Sequence, residues 1–239
     1  MAWFFTENEL GSDSCELEGE NLKHARVLRL REGEAVTLVT PSGLRHDCEV
    51  SSAEGGVTLR VKESRPCENE PDVFVTLYQA LPKGDKMDYI VQKCVELGVS
   101  RIVPMLTERC VSRPDEKALK KKRERWQKIA LQAAMQSRRG KIPEVCGCIG
   151  FRQAVEDSLR YEKTVFFYEM GGASVKKILS QKPASVGMFI GSEGGFSQGE
   201  AEYITGKGGD AATLGKRILR AETAPLAALS IIMYQTDNF

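Results

Sequence analysis

The hydrophobic periodicity of this chain changes character once, near residue 70, and that change limits the folds open to it. Upstream, short runs of alternating apolar residues occur at 35–40, 45–51 and 57–62, separated by turn residues such as Pro41-Ser42-Gly43 and Gly55-Gly56. Runs of that length and spacing predict a small β-barrel or sandwich. Residues 21–30 read as a short helix or turn. The stretch 65–71 is polar and bracketed by Pro66 and Pro71, the composition of a domain boundary.

Downstream, strand-like runs alternate with helical spacing. Residues 73–81 predict a strand. Asp85 is placed to cap a helix whose apolar face is Met87, Ile90, Val91, Cys94 and Val95, and Gly98 closes it. A strand over 101–106 precedes a long basic helix over 115–137, with Trp126, Ile129, Ala130 and Ala133 on one face. Further strands are predicted at 164–168, 185–190 and 211–214, with a last helix after Glu222. Such alternation predicts an α/β fold, a mostly parallel sheet covered by helices. The chain therefore divides into domains 1–70 and 71–239.

The 239 residues, 41% of them hydrophobic, suffice for a sizeable core. The longest apolar stretch, 226–234, is far short of the roughly 20 residues that span a bilayer. The start, MAWFFTENEL, lacks the pattern of a signal peptide. The seven cysteines are scattered without a C-x-x-C pair, and the two histidines lie far from most of them. No metal site and no disulfide framework is expected, and the expected compartment is a reducing cytoplasm, away from membranes.

A net charge of +1 conceals a division along the chain. Residues 1–72 carry 8 basic and 15 acidic groups, whereas residues 101–141 carry 13 and 4, a local charge of +9. A basic segment of this kind is suited to nucleic-acid phosphate.

Two glycine-bearing loops each follow an apolar strand: Gly191-Ser192-Glu193-Gly194-Gly195-Phe196-Ser197, and Leu214-Gly215-Lys216-Arg217-Ile218-Leu219-Arg220-Ala221-Glu222-Thr223-Ala224. In an open parallel sheet, ligands bind beyond the carboxyl ends of strands, where both loops belong. The bland alternative is a tight turn at Gly194-Gly195 with Ser197 capping the next helix. No G-x-G-x-x-G between strand and helix, no phosphate-binding G-x-x-x-x-G-K-[ST] and no G-x-S-x-G elbow is present. Dinucleotide binding of the usual kind, P-loop chemistry and acyl hydrolysis are thereby disfavoured.

The segments LPKGDKMDYIVQKCVELGV (81–99), RWQKIALQAAMQSRR (125–139), GSEGGFS (191–197) and LGKRILRAETA (214–224), with HARVLRLREGE (24–34), resemble the ribosomal RNA small subunit methyltransferase E family of the SPOUT superfamily. The resemblance runs in the same order over essentially the whole chain. It implies a PUA-like β-barrel followed by an α/β domain with a C-terminal trefoil knot, assembled as a homodimer. It implies methylation of uridine N3 in 16S ribosomal RNA of the small subunit, with S-adenosylmethionine as cofactor. A ribose 2′-oxygen target and a non-catalytic RNA-binding or assembly protein are the alternatives.

Carried over residue by residue, the resemblance places the cofactor against Gly191, Glu193, Gly194, Gly195, Leu214, Gly215, Ile218, Leu219 and Arg220. Transfer to N3 must dispose of its proton. Arg220 is assigned to stabilising the uridine anion, and Glu193 or Glu222 to deprotonation. His24, Arg26 and Arg29, together with Lys83, Lys86, Gln136, Arg138 and Arg139, are the candidates for RNA. The sequence departs from the family at Ser192, where a proline is usual, and at Met135, where a glutamate is usual. Ser192 predicts a less rigid loop.

Overall fold

The computed structural model describes residues 1–239. It contains two compact units: Met1–Glu70 with Ala134–Ile142, and Pro71–Ala133 with Pro143–Phe239.

In the first unit, β1 (Ala2–Phe5), β2 (Ser14–Glu16), α1 (Gly19–Leu28), β3 (Ala35–Val39), β4 (Leu44–Ser52) and β5 (Thr58–Pro66) follow in order. They build a five-stranded sheet ordered β1-β3-β4-β5-β2. Only β1 and β3 run parallel. Strand β4 alternates buried and more exposed residues, whereas β3 is buried over four consecutive positions; Phe4, Val36, Leu38, Val50 and Leu59 are fully buried, with Ala25 of α1 among them. Strand β5 continues through Pro66, so the polar stretch after residue 65 begins as strand. β2, at three residues, is too short for periodicity to reveal.

The returning segment Ala134–Ile142 is fastened within this unit by one buried cation. Arg139 is 3% exposed, and its guanidinium forks onto Glu70 at 2.6 and 3.1 Å. The Gly140 N–H donates to the same carboxylate at 2.9 Å. The indole N–H of Trp3 donates to the Arg139 carbonyl at 3.0 Å.

The second unit comprises β6 (Phe74–Ala80), α2 (Lys86–Glu96), β7 (Arg101–Leu106), α3 (Glu116–Gln136), β8 (Glu144–Val145), β9 (Ile149–Gly150), α4 (Phe151–Ser158) and β10 (Lys163–Phe167). After these come β11 (Ala173–Ser174), α5 (Val175–Ile178), β12 (Ser185–Ile190), α6 (Gln198–Gly206), β13 (Asp210–Thr213) and α7 (Ala224–Gln235); α3 ends with three residues of the first unit. The sheet runs β11-β13-β10-β12-β6-β7-β8, with β9 also beside β7, and every pair is parallel. Six of the seven residues of β6 and five of the six of β12 are buried, as strands covered by helices on both faces should be.

Asp85 occupies the first position before α2, yet its side chain caps nothing. Its backbone is near-helical, and its carbonyl accepts from Asp88 instead. Asp115 does cap α3, accepting from the Ala118 N–H at 2.7 Å. Of the predicted face of α3, Trp126, Ala130 and Ala133 are buried and Ile129 is half-buried. No helix is long and apolar enough to cross a membrane.

Candidate active site

Strands β13, β10 and β12 are adjacent and parallel, so their carboxyl ends open on one edge of the sheet. There, residues 167–169, 190–195, 213–215 and 217–221 line a cavity of about 540 Å³. That volume suits a cofactor-sized ligand. Both glycine loops thus meet in one place.

The 191–197 loop is tightly built. Gly195 has φ +65°, and its N–H donates to the Ser192 carbonyl at 2.9 Å. A Cβ at Gly195 would run into the Glu169 carboxylate, and one at Gly191 would lie 3.0 Å from Gly195 Cα. Only glycine satisfies both the left-handed backbone and the close approach. Gln79, buried near the end of β6, donates from Nε2 to the Gly191 carbonyl at 3.4 Å and to the Ala80 carbonyl at 3.0 Å. Arg109 donates to the Gly194 carbonyl at 3.0 Å and stands 3.8 Å from Glu169. The far end is fixed by a capping box: Ser197 accepts from the Glu200 N–H, and Glu200 accepts from that of Ser197. Ser192, expected to loosen the loop, is buried, its hydroxyl 3.4 Å from the Arg109 carbonyl.

The 214–224 loop is open by comparison. Gly215 to Ile218 are exposed, and Ile218 retains 79% of its accessible surface. Arg220 lines the cavity, and its guanidinium has no hydrogen-bond or ion-pair partner in the chain. Leu214 and Leu219 are half-buried along the same wall.

At the rim, Lys86 lies 2.9 Å from Glu193 Oε1 and 3.2 Å from Glu222 Oε2. The Lys83 N–H adds a bond to Glu193 at 3.1 Å. Burial alone would raise the Glu193 carboxyl, but the Lys86 ammonium and the backbone N–H groups outweigh it and hold the group below the usual carboxylate range. Glu222 is lowered by its own backbone N–H first, then by Lys86 and Arg220. Lys86 is raised by its hydrogen bond to Glu193 first and then by the Glu222 carboxylate beside it. Both acids are therefore ionised at neutral pH, and each is a weaker base than an ordinary carboxylate.

The structure brings together Gly191, Glu193, Gly194, Gly195, Leu214, Gly215, Ile218, Leu219 and Arg220 around one cavity, with Glu222 joined to it through Lys86. Of the RNA candidates, His24, Arg26 and Arg29 are exposed on or just after α1, His24 edge-on to Phe4 at 5.6 Å. Lys83, Gln136 and Arg138 are also exposed. Two candidates are held by carboxylates within the chain. Arg139 is buried on Glu70 and is not presented to phosphate. Lys86 is engaged by two carboxylates. Sequence reasoning missed Gln79 on β6, Arg109 after β7 and Glu169 after β10, which share no motif.

A family model for an RNA methyltransferase domain matches residues 69–233, and one for an RNA methyltransferase PUA domain matches 17–62. A two-part RNA methyltransferase is thus the class that fold and sequence define. The chain is 37% identical over 230 residues to ribosomal RNA small subunit methyltransferase E of Bacillus subtilis, covering 92% of this chain and 90% of that one. It is 32% identical to the protein of that name from Aquifex aeolicus, covering 98% and 99%. The crystal structure of ribosomal RNA small subunit methyltransferase E from Neisseria gonorrhoeae bound to S-adenosyl methionine superposes with a TM-score of 0.88 at 32% identity, covering 98% and 97%. The chain belongs to the ribosomal RNA small subunit methyltransferase E family.

Proposed function

We infer that this protein transfers a methyl group from S-adenosylmethionine to small-subunit ribosomal RNA, and that its target is N3 of a uridine in 16S RNA. The observation that carries this reading is the joining, in one cavity, of a glycine-walled apolar slot to a rim bearing two carboxylates and a guanidinium free of hydrogen bonds. These residues fit S-adenosylmethionine. Leu214, Ile218 and Leu219 offer apolar surface to an adenine, the glycines leave backbone groups uncovered, and Glu193 supplies negative charge for a sulfonium. When bound, S-adenosylmethionine supplies an electrophilic methyl group.

The chain's own part is alignment and charge. Both loops hold the reactants in register, which lowers the entropic barrier to displacement. Glu193 or Glu222 accepts the N3 proton, and the free guanidinium of Arg220 stabilises the uridine anion over its carbonyl oxygens. Held below the usual range, these acids are weak bases, so Arg220 must carry much of the stabilisation. His24, Arg26, Arg29, Lys83, Gln136 and Arg138 serve as RNA contacts in this reading. The family resemblance supports a homodimer, a knotted path around the cofactor loops, and a cytoplasmic site of action within the small ribosomal subunit.

Calorimetry with S-adenosylmethionine, followed by mapping of modified bases in 16S RNA from cells with and without the gene, tests the reading. Cofactor binding and the disappearance of one N3-methyluridine are expected. Absence of cofactor binding would overturn the enzyme reading. Disappearance of a 2′-O-methyl in place of the N3-methyl would overturn the assignment of the target.

A further inference from the structure

We propose that Lys86 is a positioning residue of the transfer site, its ammonium bridging Glu193 and Glu222 and so tying the 191–197 loop to the segment before α7. The proposal rests on the reading that this cavity is where methyl transfer occurs. Three stretches of chain far apart in sequence meet at one nitrogen: the first turn of α2, the loop after β12, and the residue two positions before α7. The two carboxylate oxygens lie 2.9 and 3.2 Å from it, so they are no more than about 6 Å from each other. At that spacing two like charges repel, and without an intervening cation the proton affinity of at least one of them rises.

The other charges facing this cluster are few. Arg220 acts on Glu222 through space, and Glu193 is otherwise held by backbone N–H groups of Lys83 and of its own residue. Neither contact bridges the two acids. Lys86 is one-third exposed, and both of its partners are more buried than it is. The ammonium therefore closes the cluster from the solvent side. Its first consequence is orientation. The Glu193 carboxylate is fixed by Lys86 and the Lys83 N–H together, which presents the acid in one direction at the rim. Its second is charge, because both acids remain ready to accept a proton at neutral pH. An engaged Lys86 acts through the carboxylates and is not itself a phosphate contact.

The test uses two readouts on the full-length protein, with Lys86→Met and Lys86→Arg. The first is carbon NMR titration of the glutamate carboxyl groups without cofactor, which is independent of any activity. In the parent protein both acids should titrate below the ordinary glutamate range. In Lys86→Met at least one should rise by about one pH unit or more, and Lys86→Arg should restore it. The second readout is the pH dependence of methylation of 16S RNA at saturating S-adenosylmethionine. The acid limb should move upward in Lys86→Met and return in Lys86→Arg.

Unchanged carboxyl titrations in a folded Lys86→Met would overturn the bridging role. Shifted titrations with an unchanged shape of the pH profile would overturn the positioning role in catalysis. A parent protein that binds cofactor and methylates nothing in 16S RNA would defeat the functional reading instead, and the titrations would still decide the bridge. Since Lys86 lies at the surface, both variants should fold, and Glu222→Gln provides an independent removal of one arm. It should lower the Lys86 ammonium's titration and leave Glu193 ionised.

Discussion

The two loops around the cavity are built on opposite plans. The 191–197 loop is held from every side: by Gln79 beneath, Arg109 and Glu169 beside Gly194 and Gly195, and the Ser197–Glu200 capping box behind. The 214–224 loop exposes Gly215 to Ile218 and leaves the Arg220 guanidinium without a hydrogen bond, acting on Glu222 only through space. One wall is finished before any ligand arrives; the other keeps apolar surface and a cation for the ligand to use. The difference shows where free energy of binding is generated. Contacts with the rigid wall cost little ordering, whereas covering Ile218 removes apolar area from water.

The largest effect should come from breaking the finished wall. Gly195→Ala forces a side chain into the left-handed region and against Glu169, so stability should fall by about 1–2 kcal/mol in urea unfolding. Calorimetry should show S-adenosylmethionine affinity down by at least about tenfold. On the open wall, Ile218→Ala should leave stability within about 0.5 kcal/mol, since the side chain is exposed without ligand. Cofactor affinity should nevertheless fall roughly fivefold to tenfold, from lost burial on binding. Equal losses of stability for the two variants would erase the contrast.

A smaller effect is expected for Arg109→Ala, which removes one bond to the Gly194 carbonyl from an exposed side chain. About threefold in cofactor affinity and less than about 1 kcal/mol in stability should follow. The smallest concerns pH. Because the Glu193 carboxyl is depressed in the folded protein, its anchoring of the first loop is fully present above the ordinary glutamate range and is lost as pH falls through the lowered value. Hydrogen exchange corrected for intrinsic rate should show protection at 192–195 weakening only once pH falls below the ordinary glutamate range, with 215–218 poorly protected throughout. Protection that persists at acid pH would remove Glu193 from the anchoring set.

Much of this architecture is readable from the chain. The apolar runs that became β6, β7 and β12 identify themselves because strands covered on both faces cannot alternate. The glycine loops are legible for a related reason: tight backbone approaches demand glycine, and glycine is visible in a sequence. What supports them is not. Gln79 of β6 and Arg109 of the loop after β7 act through bonds to backbone carbonyls that any residue could offer, and Glu169, in the turn after β10, through its contact with Arg109. Likewise Arg139 stands in a basic stretch that suggested phosphate, yet its partner Glu70 is 69 positions away and only the fold brings them together. The two-residue strands β8, β9 and β11 carry no period to detect.

The segment Ala134–Ile142 makes the first unit discontinuous: the chain enters it, leaves after Glu70, and comes back for nine residues before departing again. No single cut therefore releases that unit intact. A fragment ending at residue 70 would carry the Glu70 carboxylate without its arginine and the Trp3 indole without its carbonyl. Anyone wishing to graft or express this module alone would have to supply the missing strap, by a linker or as a separate peptide, and its retention in a pull-down with fragment 1–70 would show that two pieces of sequence make one piece of structure.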